Sequence, residues 1–278
     1  MHDLKFSNLL PVPPWLRLEK RTYKSEICTE AARIFSINVQ LVLTLAMVPG
    51  YAFMNGEDWG VSVVRAMREL GCNDPDDKSV QSLASKIWDE YDKGGFDQSR
   101  IKHFCEATDN AIKMASLPGR AMSHGALHGL LRSMVTHAWT AFEVLAEDLH
   151  SGVRQNHLDC FPPNLLSEKY GFRRLESMCA SYEKLFWDDV RVKAVARSTE
   201  IKSIALLRHL LVHKNGVVDQ MFLDQCSRNP VVTRFAAFGL GDEILIDGEM
   251  VRNLVEPVTS RGYELVQLVD QWIIAHKS

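Results

Sequence analysis

Apolar residues recur at three- and four-residue steps along most of this chain, the spacing that gathers them on one face of an α-helix. The pattern predicts helices over about 24–48, 57–70, 79–93, 98–115, 123–150, 167–187, 191–213, 217–227 and 249–276. Turn-forming clusters separate them, among them Asn55-Gly56, Gly71-Cys72-Asn73-Asp74-Pro75, Gly94-Gly95 and Phe161-Pro162-Pro163. A short strand pair is expected at about 232–247, with Gly239-Leu240-Gly241-Asp242 as its turn. The fold class expected is all-α with one small β-hairpin. Ser116-Leu117-Pro118-Gly119 is the best boundary, separating an N-terminal helical region, 1–118, from a C-terminal domain, 119–278. Pro11-Val12-Pro13-Pro14 marks an irregular lead-in, and Pro257 predicts an irregularity in the last helix.

One predicted helix carries a conflict. On a wheel started at Ile201, residues Ile201, Ile204, Ala205, Leu207, Leu211 and Val212 share one arc, and Arg208 falls in the middle of it. Burying an unpaired guanidinium costs roughly several kcal/mol even after relaxation. Arg208 therefore needs a carboxylate, a polar cleft or a partner subunit. His213 directly precedes Lys214-Asn215-Gly216, a helix-stop signal with glycine where a left-handed cap belongs. A histidine at that point is released from the helix barrel and free to face a cleft. The spacing alone is weak evidence, because Arg132 and His137 repeat it inside the helix expected at 123–150. Five residues of helix turn those two side chains well apart, so the Arg132/His137 pair reads as structural.

Composition narrows the class without naming it. The chain has 278 residues, 46% hydrophobic and 24% charged, with a net charge of −3, an ordinary globular balance rather than a globally basic nucleic-acid binder. Charge is uneven, however: residues 165–214 hold ten basic and six acidic side chains. That local excess suits phosphate, and a solvated helix face explains any single one of those charges equally well. Six cysteines are scattered without a Cys-x-x-Cys pair, so reduced core thiols are expected rather than a zinc ribbon or a disulfide framework. The first residues lack the order of an export signal, and the apolar run 34–48 is broken by Ser36, Asn38, Gln40 and Thr44. A cytoplasmic location with no membrane partner is expected. His124 and His128 have helical metal-ligand spacing but no third ligand nearby in sequence, and no phosphate-loop or dinucleotide fingerprint occurs. No cofactor and no metal are expected.

At the Arg208 motif the chain resembles the HEPN superfamily of all-α domains, many of which read "RNxxVHxxGxVD" at the end of a long helix. Arg208, His213, Gly216, Val218 and Asp219 match that string, and His209 stands where asparagine is more usual. Ala138-Trp139-Thr140-Ala141-Phe142-Glu143 is similar to the companion helix, which often reads "AWxxFE". Ile244-Leu245-Ile246-Asp247 followed by a closing helix fits the family layout. The resemblance covers about residues 120–278, and residues 1–118 carry none.

The resemblance implies a HEPN-like helical bundle and a metal-independent endoribonuclease that works as a homodimer, two motifs facing one cleft. The residue types suit that chemistry. The RNA 2′-OH is the nucleophile, so the protein need supply only a proton carrier near neutral pH and a cation for the phosphorane charge. His213 is then the general acid/base and Arg208 the phosphate and transition-state stabiliser. His209 and Glu143 are orienting residues, and Lys214 and Asn215 phosphate contacts. The expected product is a 2′,3′-cyclic phosphate. Family context implies a toxin or antiphage-defence effector with an antitoxin or defence-system partner. One HEPN toxin subfamily carries tyrosine two residues after the motif histidine; Asn215 there argues against that arrangement. The alternative is a noncatalytic HEPN module that binds RNA or a protein partner.

Overall fold

The computed structural model describes residues 22–92, 121–157, 171–172, 174–228 and 238–276. Among them are eight α-helices: α1 (Glu26–Leu70), α2 (Lys78–Asp92), α3 (Ala121–Asn156), α4 (Leu175–Leu185), α5 (Val190–Ala196), α6 (Thr199–His213), α7 (Gln220–Arg228) and α8 (Gly248–Ala275). The chain is all-α, and among the described residues the sole β pairing outside helices is an isolated antiparallel bridge between Val217 and Glu243. No described helix is long and apolar enough to cross a membrane. The helix expected at 98–115 lies outside the described residues.

Three element boundaries differ from the pattern. Asn55-Gly56 does not break α1, which runs through as one helix; an interior glycine costs only about 1 kcal/mol relative to alanine. The expected 191–213 helix is two. Asp189 caps α5 by accepting from the Arg191 and Val192 amides, and Ser198 opens α6 by accepting from the Ile201 amide, so local side-chain caps overrode the continuous apolar pattern. Of the helix expected over 167–187, α4 begins at Leu175 and residues 171–172 are not helical, while residues 167–170 lie outside the described residues. Pro257 lies inside α8 without ending it.

The described residues divide into two compact units, and the division does not follow the boundary expected at 118. One unit lies between Ala46 and Leu127; the other joins the residues up to Leu45 with those from His128 on. The first has a small core of Val63, Ala66, Val80, Ala84 and Ile87, flanked by Trp59 edge-on to Trp88 at 6.5 Å. Gly71, at φ +61°, ends α1 there. In the larger unit, the start of α1 is held by a buried carboxylate: Asp270 of α8 accepts from the Ser25 amide at 2.7 Å and the Lys24 amide at 3.1 Å. Phe35 packs edge-on against Tyr263, and a Cβ at position 262 would collide with the Phe35 ring, so glycine there permits the approach. These contacts tie residues 24–45 to the C-terminal part, and nothing in local sequence announces them.

α3 supplies the core of the larger unit with Leu131, Met134, Val135, Ala138, Phe142, Leu145 and Leu149, all essentially inaccessible. Tyr182 of α4 is fully buried and donates its hydroxyl to the Ala146 carbonyl at 2.8 Å. α8 packs on α5 and α6, with Arg261 bridging Glu200 and Glu264 at 2.9 and 2.5 Å.

Candidate functional site

The end of α6 is built as the stop signal predicts, with one refinement. Lys214 is the C-cap, and its amide bonds the Leu210 carbonyl. Asn215 takes the first left-handed position at φ +52° and Gly216 the second at φ +82°. The Gly216 amide returns to the Leu210 carbonyl at 3.1 Å. Asparagine tolerates this region because its short polar side chain bonds locally, and glycine because it has no Cβ. Asp219 then caps α7, accepting from the Phe222 amide at 2.9 Å, while Lys214 pairs with it at 3.5 Å.

The loop after α6 is also pinned from the far side. The Val218 amide donates to the Asp242 carbonyl at 2.8 Å, the Gly241 amide to Val218 at 2.9 Å and the Ile244 amide to Gly216 at 2.9 Å. The turn expected at Gly239–Asp242 is present, with Gly241 at φ +87°. The segment after it pairs with the motif loop. Residues 229–237, which hold the other half of the expected hairpin, lie outside the described residues. Ile246 donates its amide to His128 Nε2 at 3.0 Å. That bond occupies the lone pair a metal would need, and among the described residues no group of three His, Cys, Asp or Glu side chains is disposed to hold a metal ion.

Arg208 is not in the middle of the buried face. The buried residues of α6 are Ile201, Ser203, Ile204, Leu207, Leu210 and Leu211, whereas Val212 is 48% exposed. The face is turned toward Ser203 and Leu210, and Arg208 sits half-buried at its edge. A wheel that counts only apolar side chains misses this, because Ser203 is buried with its hydroxyl satisfied by the Thr199 carbonyl at 2.7 Å. Among the described residues no ion pair or hydrogen bond holds Arg208, and its Nε is buried without a partner. Glu143 on α3 feels the Arg208 charge without pairing with it. Burial raises the Glu143 carboxyl above its ordinary range; Arg208 and a hydrogen bond from the Trp139 side chain pull the other way.

His209 and His213 lie one turn apart with ring centroids 4.7 Å from each other. His213 is exposed and His209 half-buried. Burial holds His209 below the ordinary imidazole value, and His213 beside it acts in the same direction, against the opposing pull of Asp219. The end of α6 thus presents two imidazoles, Lys214 and an unpaired guanidinium on one terminus.

Asn215, expected as a phosphate contact, has its oxygens engaged. Its Oδ1 accepts from Arg132 Nη1 at 3.0 Å and its carbonyl accepts from Arg132 Nη2. A Cβ on Gly216 would run into the same guanidinium. Arg132, set aside in sequence as half of a structural pair, is structural in a specific way: it clamps the motif loop from α3. The 83 residues between the partners hid this contact. His137, the other half, is exposed, with Nδ1 bonded to the Ser133 carbonyl at 2.7 Å.

What these elements define is an all-α fold with Arg208, His209 and His213 on the last turns of one helix. Comparison of the chain with protein-family models, with curated proteins and with solved structures gave no match. The site is therefore read from its own chemistry and from the motif.

Proposed function

We propose that the chain is a metal-independent endoribonuclease of the HEPN type, with Arg208 and His213 at its chemical centre. The observation that carries this reading is the state of Arg208: a half-buried guanidinium with no carboxylate partner among the described residues, on the same helix end as two imidazoles 4.7 Å apart. An arginine kept for structure is ordinarily paired. One kept for an absent anion is left with donors to spare, and its planar fork suits phosphate oxygens.

In the proposed reaction the RNA 2′-oxygen attacks the adjacent phosphorus and the P–O5′ bond breaks. A base takes the 2′-OH proton, an acid returns a proton to the leaving 5′-oxygen, and the products are a 2′,3′-cyclic phosphate and a 5′-OH. His213, exposed at the helix end, is the proton carrier. His209 lies against it, held toward the neutral form, and orients it. Arg208 stabilises the charge that grows on the phosphorane oxygens. Lys214 meets the backbone phosphate, Asn215 offers only its Nδ2, and Glu143 sets the field around Arg208.

The same reading takes the larger unit as a HEPN-like bundle in which the Gly239–Asp242 turn belongs to a small β-hairpin. It pairs two copies so that both Arg208 and both His213 side chains line one cleft, with the exposed Val212 beside them. The protein then acts in the cytoplasm as a toxin or antiphage effector, restrained by an antitoxin or defence-system partner. Incubation of purified protein with single-stranded RNA in EDTA tests the chemistry. Cutting with cyclic phosphate ends is expected; cutting that EDTA abolishes, or that leaves 3′-OH ends, would overturn it.

A further inference from the structure

A cavity of about 230 Å³ opens beside the motif loop, and neither Arg208 nor His213 lines it. Arg132, Ser133, Thr136 and His137 of α3 form one wall, with Asn215 at its edge. Leu211, Val212 and the bare backbone of Gly129 complete it with apolar surface. Its polar groups have a defined hydrogen-bond sense. His137 donates through Nδ1 to the Ser133 carbonyl, so in the neutral ring Nε2 carries the free lone pair. Ser133 donates to the Gly129 carbonyl at 2.9 Å and Thr136 to the Arg132 carbonyl at 3.0 Å, which leaves both hydroxyl oxygens as acceptors. Asn215 gives its Oδ1 to Arg132 and keeps its Nδ2 protons as donors. Arg132 has both terminal nitrogens committed to Asn215 and an Nε that is buried and unpartnered. Its bidentate edge is thus turned to the loop, and each terminal nitrogen keeps a second proton as a donor.

We infer that this cavity takes one unstacked nucleobase of a single-stranded RNA whose phosphate lies at Arg208. The inference rests on the ribonuclease reading for the identity of the polymer. A phosphate would want the guanidinium fork, which Asn215 already holds. A base wants a planar cation or imidazole to stack on, apolar side walls, and mixed donors and acceptors at its edge. Arg132 with His137, Leu211 with Val212, and Asn215 with Ser133 and Thr136 supply these in turn. The volume is below the range of drug-sized pockets, about 300–1,000 Å³, and suits a single ring system rather than a whole nucleotide. The loop clamp and the base site share Arg132, so an occupied cavity would also hold the motif loop in place.

Gly129→Phe is the sharpest probe. Gly129 lines the cavity and no atom lies within 4 Å of a Cβ built there, so a larger side chain starts from open space at the cavity wall. Fluorescence anisotropy of the full chain would compare a mixed-sequence 2′-O-methyl 12-mer, which resists 2′-OH attack, with an abasic oligonucleotide of the same length. The wild type should prefer the base-bearing probe by at least about tenfold. Gly129→Phe, and separately His137→Ala, should erase that preference while abasic binding stays within about twofold and circular dichroism stays native. Equal binding of the two probes by the wild type, or a folded Gly129→Phe that keeps the preference, would overturn the inference. Cleavage of ordinary RNA is read in parallel. Base preference without cutting rejects the ribonuclease reading and leaves the cavity standing; cutting without base preference rejects the cavity alone.

Discussion

Arg132 and His137 stand mid-helix on α3, and Arg208 and His213 stand on the last turns of α6 with the same five-residue step. The mid-helix arginine bonds a neighbouring loop through both terminal nitrogens, and its histidine is bonded back to its own helix. The helix-end arginine has no partner among the described residues, and its histidine is the exposed last residue of the helix, one turn from a second imidazole. Identical spacing therefore says little. What separates a support from a reactive group is whether the polar atoms already have somewhere to go. The two pairs are also joined, because Arg132 holds the loop that follows the helix of Arg208 and His213.

The largest expected separation between the pairs comes from Arg208→Ala. Cleavage should fall by about 10²- to 10³-fold, as for loss of one transition-state donor. Stability should hardly move, because among the described residues Arg208 has no ion pair to break and Glu143 is only half-buried. Stranding a buried carboxylate would instead cost about 3–5 kcal/mol. A thermal melt with light scattering checks this, and a dimer whose melting point survives the substitution is the expected result.

Arg132→Ala should behave in the opposite sense. It removes two charge-assisted bonds to Asn215, so a loss of about 2 kcal/mol is expected in urea. Activity should drop by about tenfold as the motif loop loosens, in line with the cost of a misplaced catalytic group. Arg132→Lys should not rescue it, since one ammonium does not reproduce the fork. Gly216→Ala should cost a similar amount, about 1–3 kcal/mol, from left-handed strain and the collision with Arg132.

Acid should act on α3, the helix that carries Arg132 and His137. His150, on α3, is buried edge-on to Phe172 at 5.0 Å, and burial pushes it down to about 4. Unfolded imidazole titrates near 6.5, so between these values the unfolded chain binds more protons than the folded one. Stability is then full above pH 6.5 and falls as pH drops toward 4, by about 3 kcal/mol. Urea titrations at pH 7 and 4.5 should show that loss, and His150→Phe should flatten it. Activity profiles comparing the two pairs are accordingly cleanest above pH 6.5.

Lys214→Ala should have the smallest effect. Its pair with Asp219 is half-exposed and worth about 0–1 kcal/mol. RNA binding should weaken modestly, with the salt slope reduced by about 0.7 for one lost contact to a single strand.

Legibility in the sequence followed the range of the interactions. The stop at Lys214-Asn215-Gly216 and the Gly239–Asp242 turn are local chemistry, and each is found where the residues placed it. The Ser198 cap was equally local and was hidden by the continuous apolar pattern around it. The rotation of the α6 buried face turned on Ser203, a polar residue satisfied by its own helix and therefore free to be buried. The Arg132 clamp on Asn215 and the seating of α1 on Asp270 span 83 and more than 240 residues, and no periodicity reports a partner at such distance.

The central claim is that the helix-end pair carries the proton transfer. Single-turnover cleavage of single-stranded RNA in EDTA by wild type and His213→Ala, at matched circular dichroism, tests it most directly. The predicted result is a rate loss of about 10²- to 10⁴-fold for His213→Ala, the contribution typical of a general acid or base, with cyclic phosphate ends from the wild type. A folded His213→Ala protein that cuts at the wild-type rate would contradict it.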